Sequence, residues 1–147
     1  MTPKAPKIKY FNITPIAIID PPLLNAAGLH APFALRTVVE LITDDNISGI
    51  SEIPGNIAID KALEKSRQFI IGQDPFHLNQ IRDILSVNFG SEDSIKRGDT
   101  PWDQRTLVHI FSAIEVACLD IIGKITNRPV VDLLGGKRRD SFCKRGS

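Results

Sequence analysis

Few residues in this chain have both the type and the spacing for chemistry. Its three histidines are scattered: His30 in a proline-rich stretch, His77 just after Asp74-Pro75, and His109 inside an apolar repeat. His109 and Glu115 are six residues apart, so one helical face cannot present both to a metal. His109 reads as a packed or half-exposed helix residue, and Glu115 and Asp120 as solvated or paired structural charges. Cys118 and Cys143 lack CxxC spacing and paired histidines, which argues against zinc and against a disulfide framework. HExxH, P-loop, GxGxxG and GxSxG patterns are all absent. The basic cluster Lys137-Arg138-Arg139 with Lys144-Arg145 has only Phe142 to stack a base, so it reads as a solvated terminus and not a nucleic-acid site.

The elements that would position these residues follow from periodicity. Lys7 to Ile19 is rich in Ile, Tyr, Phe and Thr and suits a strand, with Pro15 requiring a bend or a sheet edge. Asp20-Pro21-Pro22 ends it. Pro21 to Pro32, with three prolines, Asn25 and Gly28, is a loop of about a dozen residues, long enough to be a functional candidate. Phe33 to Thr43 is a strand with Leu35, Thr37, Val39 and Leu41 on one face. Asp44-Asp45-Asn46 is a turn, Ser48 to Ile53 a further strand, and Pro54-Gly55 closes the sheet.

The period then changes from two to 3.6. Ile59, Ala62, Leu63, Ser66, Phe69 and Ile70 share a helical face, and Gly72 stops the helix. Asp74-Pro75 is expected to start a second helix, with a stripe of Leu78, Ile81, Leu85 and Phe89 or Asn88. Gly90 to Pro101 is expected to be a loop. Leu107, Ile110, Phe111, Ile114, Ala117, Cys118 and Ile121 define a third helix, with Gly123 as its expected end. Pro129 to Leu134 is a short helix capped by Gly135-Gly136. The fold class is therefore α+β: a three-stranded antiparallel meander followed by a bundle of about three helices.

Bulk properties narrow the function. The 147 residues are 42% hydrophobic and 24% charged with a net charge of +1, as in a soluble globular domain. The balanced charge favours neither nucleic acid nor an acidic membrane as partner. Uninterrupted apolar runs fall far short of the roughly 20 residues of a membrane span. Met1 to Thr14 lacks the apolar core of a secretory signal, so the cytoplasm is the expected location.

Four stretches together resemble one family. They are Leu24-Asn25-Ala26-Ala27-Gly28-Leu29-His30-Ala31-Pro32-Phe33 with Arg36-Thr37; Gly49 to Gly55; Arg105-Thr106 leading into Ser112 to Lys124; and Pro129-Val130-Val131-Asp132-Leu133-Leu134-Gly135-Gly136. Their order resembles the N-terminal domain of the mandelate racemase and muconate lactonizing branch of the enolase superfamily, over about residues 7–140. The His30 loop, with Thr100, is most similar to glucarate dehydratases. The resemblance implies a flexible lead over 1–6, a capping domain over 7–136 and a divergent or truncated tail over 137–147.

It also implies an activity. Such enzymes bind Mg²⁺ through three carboxylates of a barrel and remove the proton beside a substrate carboxylate, and the metal stabilises the enolate. Glucarate dehydratases then expel water to give 5-keto-4-deoxyglucarate. The Lys-x-Lys base, the metal ligands and the His–Asp dyad lie in the barrel, while the capping domain's loops close its mouth. By resemblance, His30 and Thr100 contact an aldaric-acid substrate, and Asn25 and Glu52 are weaker candidates that could instead organise their turns. The family continues into a barrel strand after Gly136. Here Cys143 to Ser147 is polar and basic, as a premature stop, a frameshift or trimming would leave it. The expectation is no activity and no bound metal without the barrel, and self-association through an interdomain surface of roughly 600–1,500 Å². Alternatives are a stand-alone lid that binds a diacid or a partner, and a piece of another acid-sugar dehydratase or racemase.

Overall fold

A computed structural model describes residues 5–19, 33–94 and 106–139. Three strands, β1 (Ile8–Ile19), β2 (Phe33–Thr43) and β3 (Ser48–Pro54), form an antiparallel sheet in the order β1-β2-β3. Helices α1 (Ile57–Ile70), α2 (Leu78–Ser94), α3 (Thr106–Thr126) and the short α4 (Val130–Leu133) follow, so the α+β meander-then-helices reading holds.

The sheet's alternation makes its core face. Phe11, Thr37, Val39, Leu41, Thr43, Ser51 and Ile53 are buried against the helices. Pro15 sits within β1, where an edge strand tolerates a missing N–H. The β2–β3 turn bends at Asn46, which has φ 60°, a value asparagine tolerates better than most residues.

Helix α3 is the core of the helical layer. Ile110, Ala113, Ile114, Ala117, Cys118 and Ile121 are fully buried. By length and composition α3 could cross a membrane, which the short uninterrupted apolar runs did not suggest. Its apolar face packs here on β3, α2 and α1. α3 also covers the exposed edge of β3. Asp120 Oδ2 accepts from Ile50 N at 3.0 Å, and Lys124 Nζ donates to Ser48 O at 2.7 Å. Ser51 Oγ donates to Ala113 O at 2.6 Å. Side chains thus occupy backbone groups that could recruit a foreign strand.

α1 buries Ile59, Ala62, Leu63, Ser66 and Ile70, with Phe69 packed beside them, as its periodicity predicts. Phe69 meets Phe89 of α2 edge-on, with centroids 6.4 Å apart. This settles the α2 stripe as Ile81, Leu85 and Phe89, leaving Asn88 exposed.

Three sequence expectations are corrected. Asp74-Pro75 does not begin α2. Asp74 Oδ1 accepts from Phe76 N at 2.9 Å, and His77 N donates to Asp74 O at 3.0 Å, which makes a separate turn before Leu78. Gly90 does not open a loop, because α2 runs to Ser94; one glycine costs a helix only ~1 kcal/mol, and Phe89 anchors that turn. The remainder of the expected loop, 95–101, lies outside the described residues. Gly123 does not end α3. The helix continues to Thr126 and closes at Asn127, with φ 52°. Arg128 N donates to Gly123 O at 2.9 Å, and a Cβ at 123 would lie 2.8 Å from Arg128 O. Gly123 serves this close return of the chain and does not break the helix. Gly135 and Gly136, at φ 99° and 95°, end α4 as expected.

Candidate functional site

Strand register shows which end of the domain carries its connections. Ile19 pairs with Phe33, and Arg36 pairs with Pro54. The 20–32 connection therefore leaves and returns at the same sheet end as the β3–α1 turn. Helix α3 runs antiparallel to β3, because Ser48 lies by Lys124 while Ser51 lies by Ala113. From Ser51 to Pro54 the strand rises about 10 Å. From Ala113 back to Thr106 the helix also covers about 10 Å. The chain thus enters α3 level with that same end. The stretches that carry Asn25, His30 and Thr100 are attached to one end of the domain by three separate elements.

At this end the β1–β2 ribbon overhangs the helices. β3 pairs with β2 only as far as Arg36, so Phe33 to Leu35 extend past it. Leu35 shares the core face of Thr37, Val39 and Leu41, yet it is 58% exposed. Periodicity set its side correctly, but the helical layer stops short of it. Ile19, Phe33 and Ile57 are exposed beside it. A cleft of about 280 Å³ lies beneath, lined by Pro15, Ala17, Leu35, Thr37, Ile57 and Asp60 among others.

Polar groups fix the base of this cleft. Thr37 is fully buried, and its Oγ1 donates to Asp60 Oδ1 at 2.6 Å. That distance is typical of a hydroxyl on a carboxylate, among the stronger hydrogen bonds. Asn56 caps α1 by accepting from Ile59 N at 2.9 Å, and Asp60 sits in the first turn, where the helix dipole favours an acid. Gly55 N donates to Leu35 O at 3.0 Å. Arg36 Nε lies 3.1 Å from Glu52 Oε1, with both side chains substantially exposed. Such a surface pair contributes at most about 1 kcal/mol. Glu52 therefore braces neighbouring strands and lies within β3, not in a turn.

The sequence-predicted contacts His30, Thr100 and Asn25 lie outside the described residues. His109 is half-buried on α3. His77 and Glu115 instead border a hollow of about 520 Å³ between α2 and α3, with Phe76, Arg82 and Phe111. Asp120 is a paired structural charge, 2.8 Å from Lys124 Nζ. The buried Cys118 thiol is pushed up to about 12 by loss of solvation and then by the Asp74 and Glu115 charges, so it is neither a nucleophile nor a ligand at neutral pH. Among the described residues no three His, Cys, Asp or Glu side chains come together, so they do not fit a Mg²⁺ site. Sequence reading missed the Thr37–Asp60 pair; the available signal was a threonine between Leu35 and Val39 on the strand's core face.

A three-stranded antiparallel meander followed by helices defines the fold class, and comparisons with known proteins give its family. The sequence pattern of the mandelate racemase / muconate lactonizing enzyme, N-terminal domain, matches residues 22–135. The chain belongs to that family, within the enolase superfamily. It is 36% identical over 140 residues to a probable glucarate dehydratase of Streptomyces coelicolor, covering 88% of this chain and 32% of that protein. It is 28% identical over 116 residues to the cis-3-hydroxy-L-proline dehydratase of Roseibium aggregatum, covering 73% of this chain and 28% of the relative. A crystal structure of an enolase from Pseudomonas fluorescens with bound magnesium, potassium and tartrate superposes with a TM-score of 0.81 at 37% identity, over 93% of this chain and 33% of that one. The chain spans about a third of the length of the curated relatives it matches.

Proposed function

We propose that residues 7–136 are the substrate-capping part of a glucarate dehydratase-like, Mg²⁺-dependent acid-sugar dehydratase that converts D-glucarate to 5-keto-4-deoxyglucarate and water in the cytoplasm. The observation that carries this reading is the identity to a probable glucarate dehydratase across nearly the whole chain. The magnesium and tartrate held by the Pseudomonas fluorescens enolase support a metal and a hydroxylated diacid. In this reading the metal, the base and the acid–base dyad belong to a barrel outside these 147 residues, and Mg²⁺ supplies enolate stabilisation there. This chain's own part is binding and water exclusion. His30, as imidazolium, pairs with the distal carboxylate, while Thr100 and Asn25 donate or accept hydrogen bonds from hydroxyls. The exposed Ile19, Phe33, Leu35 and Ile57 favour docking on the barrel, or self-association in its absence.

The test is complementation. The 147-residue chain, a barrel-only chain and their mixture are assayed for Mg²⁺-dependent dehydration of D-glucarate. Turnover in the mixture alone supports the reading. Turnover by the 147 residues alone, or by the barrel alone at the rate of the mixture, overturns it. The range of substrates among relatives favours one second reading, a cap for another acid-sugar dehydratase or racemase; a panel of diacids and monoacids in the same assay separates the two.

A further inference from the structure

At the connection-bearing end of the sheet, a polar contact ties β2 to the helical layer. Thr37 is the residue of β2 next to Arg36, where β3 ends its pairing. Its hydroxyl reaches Asp60, 23 residues later, at 2.6 Å. Gly55 lies beside this bond. A Cβ there would fall 2.6 Å from Thr37 Oγ1 and 2.8 Å from Arg36 C. Any other residue would push the turn off β2 and pull Asp60 from the hydroxyl. Asp60 N in turn donates to Asn56 O at 2.9 Å, so the same residue closes the capped first turn of α1.

From this geometry we infer that Thr37 and Asp60, with Gly55 making room, are a positioning pair. They set the spacing between the β1–β2 overhang, which carries Ile19 and Phe33, and Ile57 at the start of α1. A purely apolar contact would resist separation but not sliding, because dispersion and hydrophobic burial are non-directional. A short hydroxyl–carboxylate bond fixes direction as well as distance. The functional consequence rests on the capping role proposed above: substrate binding by the capped enzyme depends on this spacing, while the chemical step does not.

The test compares Thr37→Val, Asp60→Asn and Thr37→Ser by amide hydrogen exchange on the 147-residue chain. Thr37→Val is expected to speed exchange of the Gly55, Ile59 and Asp60 amides about tenfold or more, as for loss of a buried bond to a charged group. Exchange at Leu41 and Ile114 should stay unchanged, and Thr37→Ser should restore the wild-type pattern. Asp60→Asn serves as the second variant if Thr37→Val does not fold. Uniform acceleration across the chain, or failure of serine to rescue, overturns the inference. In the complementation assay, Thr37→Val should raise KM severalfold at nearly constant kcat. An equal loss in kcat overturns the functional half. If the wild-type mixture shows no turnover, the capping role fails while the exchange result still decides the pair.

Discussion

Gly49 and Gly90 make opposite predictions for the same substitution. At Gly49 the β3 backbone lies against α3. A Cβ would overlap Ala117 O and come within 2.7 Å of Ile121 Cγ1 and 3.0 Å of Ala117 C. The obstacle is backbone of the most buried helix, so Gly49→Ala must lift α3 from β3 or bend the strand. Overpacking of this kind costs about 1–3 kcal/mol and sometimes more. Lower chain entropy in the unfolded state returns only about 0.4–1 kcal/mol. We expect a net loss of about 1.3 kcal/mol. For a domain of this size that lowers Tm by roughly 3–5 °C. At Gly90, inside α2, a Cβ meets nothing within 4 Å among the described residues. Gly90→Ala should therefore stabilise by about 0.8–1 kcal/mol from helix propensity. Urea titration with tryptophan fluorescence, alongside thermal unfolding, measures both. A Gly49→Ala stability within about 0.5 kcal/mol of wild type, the usual range for innocuous sites, would refute the close-approach argument.

Three further outcomes follow from the described residues. Cys118 has its thiol raised from an ordinary 9.0 to about 12. The unfolded state therefore loses this proton first, and stability declines between about pH 9 and 12 by up to ~1.4 kcal/mol per pH unit; Cys118→Ala should remove that slope from alkaline urea titrations, and Cys118 should react with a thiol reagent only once the chain unfolds. Asp120→Ala removes the acceptor of Ile50 N–H and the partner of Lys124. It should cost about 1 kcal/mol at this half-exposed position and speed exchange of the Ile50 amide, whereas unchanged exchange there would contradict the edge-capping role. Gly123→Ala sets a Cβ against Arg128 O and should destabilise, with the loss concentrated in exchange at the α3 C-terminus; a neutral result would leave Gly123 unexplained.

The sequence by itself determined the elements and their sides. Alternation across Phe33–Thr43 and the i, i+3, i+4 stripes of α1 and α3 specify which face is apolar, because side-chain direction is a local property of strand and helix. Turn chemistry at Asp44–Asn46 and Gly135-Gly136 is equally local. The quoted motifs also carried the family assignment, since residues 22–135 match it. Tertiary structure decided how far each face is covered. Leu35 has the right side and no helix above it. Gly90 and Gly123 read as breakers, because propensity is weak against a packed neighbour such as Phe89 and against the returning Arg128. The attachment of three connections to one sheet end, and the Thr37–Asp60 bond beneath them, depend on residues far apart in sequence, 23 positions in the case of that bond. No local pattern encodes such a distance; the register of the sheet and the antiparallel seat of α3 on β3 set it.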